Sequence, residues 1–103
     1  MATNWQEDHQ RRVATLPEDV REGHKHSSNN RAELSRSVKC GCFCCCSIFS
    51  PTEIEKWIDG DERGIGQTAL CPHCGIDSII GDASGYTISL EFLKRMEHYW
   101  FTI

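Results

Sequence analysis

The sequence predicts a small α+β domain built around a bound metal ion. Its 103 residues allow one domain with a thin core, and such a core usually needs a metal ion or another cross-link. Cysteines recur at C-x-x-C spacing in Cys42–Cys45 and again in Cys71–Cys74. Short apolar runs and two helix-start signals lie between and after these pairs. We therefore expect two zinc knuckles, a short antiparallel sheet, a helix inserted between the knuckles over 51–59, and a C-terminal helix over 90–101.

The segment 1–37 predicts short helices joined by polar loops. A capping-box pattern begins at Asn4, and Pro17 marks a second helix start. Asn30 predicts the N-cap of a further helix of one to two turns. These helices carry few apolar residues and would not be stable alone. We expect them to dock on a zinc-binding domain that spans 38–103.

The middle of the chain predicts a short strand followed by the inserted helix. Cys42 to Phe49 should form the first knuckle and run into the strand. Ser50, Pro51 and Glu53 match an N-cap, a first-turn proline and a capping-box partner. The apolar residues that follow lie on one helical face, and Gly60 comes just after the expected end. This pattern predicts the helix over 51–59.

The last third predicts two strands around the second knuckle and then a helix. One strand covers 68–70 and leads into the knuckle, and a return strand covers 77–80. Ser89 is the expected N-cap of the final helix, whose apolar residues recur at helical spacing. These residues are Leu90, Leu93, Met96 and Trp100.

The two cysteine pairs predict a single structural Zn²⁺. Zinc in structural sites is tetrahedral, and one C-x-x-C turn presents two thiolates to the same ion. Pro72 and Gly75 in the second pair suit a turn whose backbone amides point at the sulfurs. Of the cysteines that remain, Cys40, Cys44 and Cys46 are expected to be small, partly buried or surface thiols. Replacement of a ligand by Cys40 or Cys44 stays open. The expected ligands are Cys42, Cys45, Cys71 and Cys74.

The cysteine content and the charge indicate which cellular compartment and which kind of partner to expect. The seven cysteines are an odd number, five of them between positions 40 and 46, and the first residues do not resemble a signal peptide. No run approaches the length of a membrane span. We expect a reducing cytoplasm and no membrane. Residues 39–103 carry five basic against nine acidic side chains. This balance disfavours nucleic acid and suits a basic protein partner.

Three runs of the sequence carry a family resemblance: Lys25 to Asn29, Lys39 to Phe43 and Ala69 to Gly81. Through them the chain resembles a family of small, poorly characterised bacterial cytoplasmic proteins over about residues 24–101. The resemblance implies a zinc-ribbon-type module that uses the four cysteines named above, and it supplies no established reaction. Residues 1–23 fall outside it. Cys44 and Cys46 depart from the family pattern.

The function that these features favour is a non-enzymatic zinc module that binds another protein, with a regulatory role such as that of an inhibitor or immunity protein. Four thiolates close the metal shell and leave no position for a substrate. Three alternatives stay open. One is a nucleic-acid-binding zinc ribbon, and another is a thiol redox sensor built on the extra cysteines. The third is a small hydrolase or nuclease that uses His24 and His26, with His26 paired to Asp77 or another acid.

Overall fold

The computed structural model describes residues 14–101. Its helices are α1 (Glu18–His24), α2 (Arg31–Ser35) and α3 (Leu90–Phe101), and 3₁₀ turns occupy Lys25–Ser27, Pro51–Glu53 and Asp82–Ser84. Its strands are β1 (Cys40–Cys42), β2 (Ile48–Phe49), β3 (Trp57–Gly60), β4 (Gly66–Ala69) and β5 (Ile79–Gly81). None of the helices in this part of the chain has the length and apolar character needed to cross a membrane. The predicted α+β class with short antiparallel sheets is confirmed.

The strands form two small antiparallel sheets that bring the cysteine pairs together. β1 is central in a three-stranded sheet, with β2 and β5 on its two sides. Cys42 at the end of β1 lies opposite Ile79 at the start of β5. The first cysteine pair begins at the last residue of β1 and the second precedes β5, so this register places both turns at one end of the sheet. β3 and β4 form a separate hairpin, and β4 leads into the second turn.

The two faces of the three-stranded sheet enter two different apolar clusters, because successive side chains of a strand point to opposite faces. Ile79 belongs to one cluster and its neighbour Ile80 to the other. The first cluster, here called the cysteine face, comprises Leu34, Cys40, Cys42, Phe49, Ile54, Ala69, Cys71 and Ile79. The second cluster, here called the helix face, comprises Val20, Phe43, Ile80, Ile88, Leu93 and Met96.

Glycine in the central strand allows α3 to approach the helix face closely. A Cβ atom at Gly41 would lie 2.7 Å from Leu93 Cδ1 and 3.0 Å from Ile88 Cγ2, which is closer than real Cβ contacts. The predicted helix over 90–101 is confirmed, and Ser89 Oγ accepts a hydrogen bond from the backbone N–H of Phe92 at 3.1 Å. Leu93 and Met96 are buried, whereas Leu90 is 49% exposed. The helix therefore packs through its middle turns.

The N-terminal helices pack on both faces of the sheet. Val20 of α1 is buried in the helix face, and its carbonyl accepts a hydrogen bond from Trp100 Nε1 at 3.2 Å. Leu34 of α2 is buried in the cysteine face. The start of α2 after Asn30 is confirmed, but the Asn30 side chain makes no capping hydrogen bond. The capping box predicted at Asn4 lies outside the described residues.

The buried side chain of Asn30 instead connects three elements of the fold. Its amide nitrogen donates to the carbonyl of Ile79 at 2.9 Å and to that of His26 at 3.1 Å. Its amide oxygen accepts from the backbone N–H of Ala69 at 3.1 Å. Asn30 thus ties α2 to β4 of the hairpin and to β5 of the three-stranded sheet.

The predicted helix over 51–59 is wrong. The capping box between Ser50 and Glu53 is present, but it starts only the 3₁₀ turn Pro51–Glu53. The chain is extended at Ile54 and then forms β3, whose residue Trp57 pairs with Ala69 of β4. A helix of nine residues is marginal without tertiary support, and the hairpin satisfies the same backbone groups while it places Ile54 in the core.

Candidate metal centre

Four cysteine thiols from the two turns converge at the end of the three-stranded sheet. Cys42 Sγ lies 3.6 Å from Cys74 Sγ, and Cys45 Sγ lies 3.7 Å from Cys71 Sγ. All four sulfurs lie within 4.8 Å of one another. Cys42 and Cys71 are buried, whereas Cys45 and Cys74 are exposed. The structure therefore brings together all four cysteines of the predicted ligand set, at a place where a bound ion would be half-open to solvent.

The two cysteine turns have the same backbone geometry. In the first, the N–H of Cys46 donates to the carbonyl of Cys42 at 2.7 Å, and in the second the N–H of Gly75 donates to that of Cys71 at 2.9 Å. The residue after each pair has a left-handed backbone, with φ 62° at Cys46 and φ 81° at Gly75. Each turn is therefore a knuckle of the same type, and Cys46 occupies the position that glycine takes in the second.

Backbone amides point at the first sulfur of each knuckle. The N–H of Cys44 lies 3.4 Å from Cys42 Sγ, and the N–H of His73 lies 3.3 Å from Cys71 Sγ. Such donors stabilise a thiolate and orient it as a ligand. A tetrahedral zinc with Zn–S bonds of about 2.3 Å needs sulfur–sulfur separations of about 3.8 Å. The separations of 3.6 Å and 3.7 Å match that value, and four sulfurs within 4.8 Å of one another form a donor set that suits a thiophilic divalent ion.

Two thiols of the cluster hold their protons more tightly than an ordinary thiol. Burial, with Cys42 as a further cause, raises the pKa of Cys71 and of Cys74 above the ordinary thiol value. Burial also acts to raise the pKa of Cys45, but hydrogen bonds that involve Ser47 and neighbouring thiols lower it to about 7. A divalent ion bound by four thiolates would offset their mutual repulsion and displace the remaining protons.

The three further cysteines lie around this cluster. Cys40 is buried in the cysteine face, where its Sγ donates to the carbonyl of Phe49 at 3.5 Å and burial raises its pKa to about 12. Cys44 is partly buried, and burial raises the pKa of its thiol. Cys46 is partly buried, and its Sγ lies 3.7 Å from a carboxylate oxygen of Glu97.

Two serines that contact the cluster were not predicted from the sequence. Ser47 Oγ lies 3.2 Å from Cys45 Sγ, and the buried Ser78 Oγ lies 3.1 Å from Cys42 Sγ. Ser47 lies two residues after Cys45, so their spacing in the sequence could have indicated this contact. Ser78 reaches Cys42 from a distant segment, and no local pattern marks that contact.

The histidines that the sequence singled out do not form a joint site. His26 Nδ1 lies 2.8 Å from a carboxylate oxygen of Glu33, so the acid beside it is Glu33 rather than Asp77. The His24 ring packs against Trp100, with ring centroids 4.0 Å apart. Burial lowers the pKa of His24, while the nearby charge of Asp77 opposes that shift. Each histidine has a packing or pairing role of its own.

Comparison of the chain with protein-family models, curated proteins and solved structures finds no match to any of them.

Proposed function

We propose that the protein is a non-enzymatic module in which Cys42, Cys45, Cys71 and Cys74 bind one structural Zn²⁺ and whose surface binds another protein. The observation that carries this proposal is the cluster of four thiols within 4.8 Å, presented by two knuckles of equal geometry. A regulatory role, such as that of an inhibitor or immunity protein, fits a small binder of this kind.

Closure of the metal shell supports a non-enzymatic role. Catalytic zinc keeps a position for water or substrate beside three protein ligands, whereas structural zinc takes four. Here the fourth position is filled by a thiol, and the backbone geometry of the two knuckles is the same. Zinc at this centre would hold the knuckles together rather than activate a water molecule.

Charge and exposed apolar side chains support a protein partner. The chain has a formal net charge of −4, and four thiolates around one Zn²⁺ add a further −2, so phosphate backbones would be repelled. Ile48 and Ile76 are both at least 40% exposed, and each lies within a few residues of a knuckle. An acidic surface with apolar side chains suits a basic partner with an apolar contact region.

The metal part of the proposal is tested by native mass spectrometry and by cobalt substitution. We expect one Zn²⁺ per chain as isolated, and a tetrahedral tetrathiolate spectrum after cobalt exchange. Cys74→Ser should lose that spectrum, whereas Cys44→Ser, which alters the neighbouring thiol outside the cluster, should keep it. An octahedral cobalt spectrum, or equal loss in both variants, would contradict the assignment.

The partner part is tested by affinity capture from the native cell. We expect a reproducible protein partner with the intact chain and its loss with Cys71→Ser, which serves as the misfolded control. A parallel titration with DNA and RNA in about 150 mM salt should show no micromolar binding, since nucleic-acid contacts weaken steeply at that ionic strength. Clear binding there would replace the protein-partner proposal.

A further inference from the structure

A surface cleft of about 230 Å³ lies between α2, the 3₁₀ turn Pro51–Glu53 and β3. Its chemistry is mixed, with one cation, several hydroxyl groups and an apolar wall. No part of the proposed metal centre lines it. The residues that define it are Arg31, Leu34, Ser35, Ser50, Thr52 and Trp57.

Arg31 is the cation of this cleft, and its guanidinium is held in place from two directions. Nε donates to the carbonyl of Gly66 at 2.6 Å. The guanidinium carbon lies 4.1 Å from the centroid of the Trp57 ring, in a cation–π arrangement. Within residues 14–101 no carboxylate forms an ion pair with Arg31, unlike Arg21, Arg63 and Arg95.

A guanidinium fixed through Nε keeps its two terminal nitrogens for an external acceptor. The guanidinium fork matches the oxygens of a carboxylate or phosphate, and such charge-assisted hydrogen bonds are about twice as strong as neutral ones. Because the side chain is already ordered by Gly66 and Trp57, little rotamer entropy is lost when a ligand binds. Partial burial of Arg31 also reduces the screening of its charge by solvent.

The walls of the cleft suit a ligand with an apolar body. Leu34, Pro51 and Trp57 provide apolar surface, and the hydroxyl groups of Ser35 and Thr52 lie at exposed positions of the lining. The volume accommodates a single ring or a side chain of similar size. We propose that this cleft binds one oxyanionic group, a carboxylate or a phosphate, attached to a small apolar body.

The test is an NMR titration of the isotope-labelled, zinc-loaded full chain with three small aromatic probes. Benzoate and phenyl phosphate carry the two candidate anions, and benzamide is the nearly isosteric neutral control. We expect saturable amide shifts at α2, Ser50, Thr52 and Trp57 with at least one anion, and binding at least about tenfold weaker with benzamide. The preferred anion identifies the group. Equal binding of benzamide, shifts elsewhere, or no saturable shift up to millimolar concentration would overturn the proposal.

Two pairs of variants assign the effect to Arg31. Arg31→Gln should weaken binding of the preferred anion at least about tenfold, whereas Arg63→Gln, on an exposed turn, should leave it unchanged. Ser35→Glu keeps Arg31 and adds a negative charge at an exposed position of the cleft, so it should also weaken binding. Thr87→Glu adds the same charge at an exposed position outside the cleft and should have no effect. Retained binding in a folded Arg31→Gln or in Ser35→Glu would contradict the assignment.

Discussion

The cysteine face and the helix face cover the same three-stranded sheet, but they are built from different side chains. The helix face contains large apolar residues such as Phe43, Leu93 and Met96, which fill space under α3. The cysteine face also holds large residues such as Phe49, but half of its eight members are small, namely Ala69, Cys40, Cys42 and Cys71. One face is stabilised by burial of apolar surface alone, whereas the other would gain four directional bonds from the proposed zinc in addition.

This difference shows how a chain of this length holds two sides of a sheet in place. A protein of 103 residues has little apolar surface to spare, and α3 uses much of it on one side. On the other side, the proposed zinc would add stability with few atoms, because the free energy of metal binding becomes folding free energy and replaces that of a larger core. Four predictions separate the two contributions.

The largest expected effect is loss of the cysteine face when the metal is removed. Structural zinc contributes roughly 10–16 kcal/mol in zinc-finger peptides, which matches or exceeds the total stability of roughly 5–15 kcal/mol of an ordinary domain. A strong chelator should therefore unfold the whole chain, because both faces share β1. Loss of amide dispersion in the NMR spectrum measures this, and re-addition of Zn²⁺ should restore it. If the chelated, metal-free protein kept its native amide dispersion, the cysteine face would not depend on a metal ion.

The second effect concerns the helix face with the metal in place. Leu93 is fully buried, so Leu93→Ala should lower the free energy of unfolding by about 2–5 kcal/mol through lost apolar burial and a residual cavity. Denaturant unfolding of the zinc-loaded protein measures the change.

Leu90→Ala on the same helix is the matched control. Its side chain is half-exposed, so its removal should cost well under half as much as that of Leu93. If the two variants were equally stable, α3 would not depend on its buried turns, and the proposed division between the faces would fail.

A smaller effect is expected at Asn30, which joins the hairpin to the sheet on the cysteine face. Asn30→Ala leaves the buried N–H of Ala69 and the carbonyl of Ile79 without their side-chain partner. Unpaired buried groups of this kind cost about 1–3 kcal/mol. Amide hydrogen exchange should show faster opening of β4, while Ser28→Ala at an exposed neighbouring position should leave exchange unchanged. If the hydrogen-exchange protection of the Ala69 amide were unaltered in Asn30→Ala, the Asn30 side chain would not stabilise the contact between the hairpin and the three-stranded sheet.

The smallest expected effect is a change of stability with pH that comes from His24, which packs against Trp100. Burial lowers the pKa of His24 below its ordinary value of 6.5, so the unfolded chain takes up a proton more readily than the folded one. The stability that the neutral ring contributes is fully present above pH 6.5 and is lost as the pH falls from 6.5 through the lower pKa of the folded state. An NMR titration of the His24 ring should give a midpoint below 6.5.

Asp77→Asn provides the matched test, because the charge of Asp77 acts to raise the pKa of His24. Its removal should move the midpoint further down. A midpoint at or above 6.5 in the unaltered protein would show that His24 is solvated rather than packed against Trp100.

The elements that the sequence predicts correctly are those marked by residues close together in the chain. The spacing within each cysteine pair and Gly75 after the second pair describe a turn of a few residues, and both turns form as knuckles. The helix that begins after Ser89 is marked by its cap and by its apolar spacing. These features depend on neighbours in the chain, so a single sequence contains them.

The failures arise where distant segments compete with a local signal. The capping box at Ser50 specifies one turn, but strand pairing with β4 decides what Trp57 does next. The spacing of Ile54 and Trp57 fits a helical face and also fits an extended segment with one buried residue. The contacts of Asn30 with Ala69 and Ile79, and that of His26 with Glu33, join residues whose proximity exists only after folding.

Gly41 and Cys42 of β1 and Phe43 just after it face alternate sides of the sheet, and this alternation limits how the protein can change in length. Inserting or deleting one residue there would exchange inward and outward positions, sending an aromatic ring toward the sulfur cluster and a thiol beneath α3. Loops elsewhere in the chain have room for extra residues, but this three-residue stretch has none. Length variants of the protein should therefore accumulate outside it, as in the turn between β3 and β4.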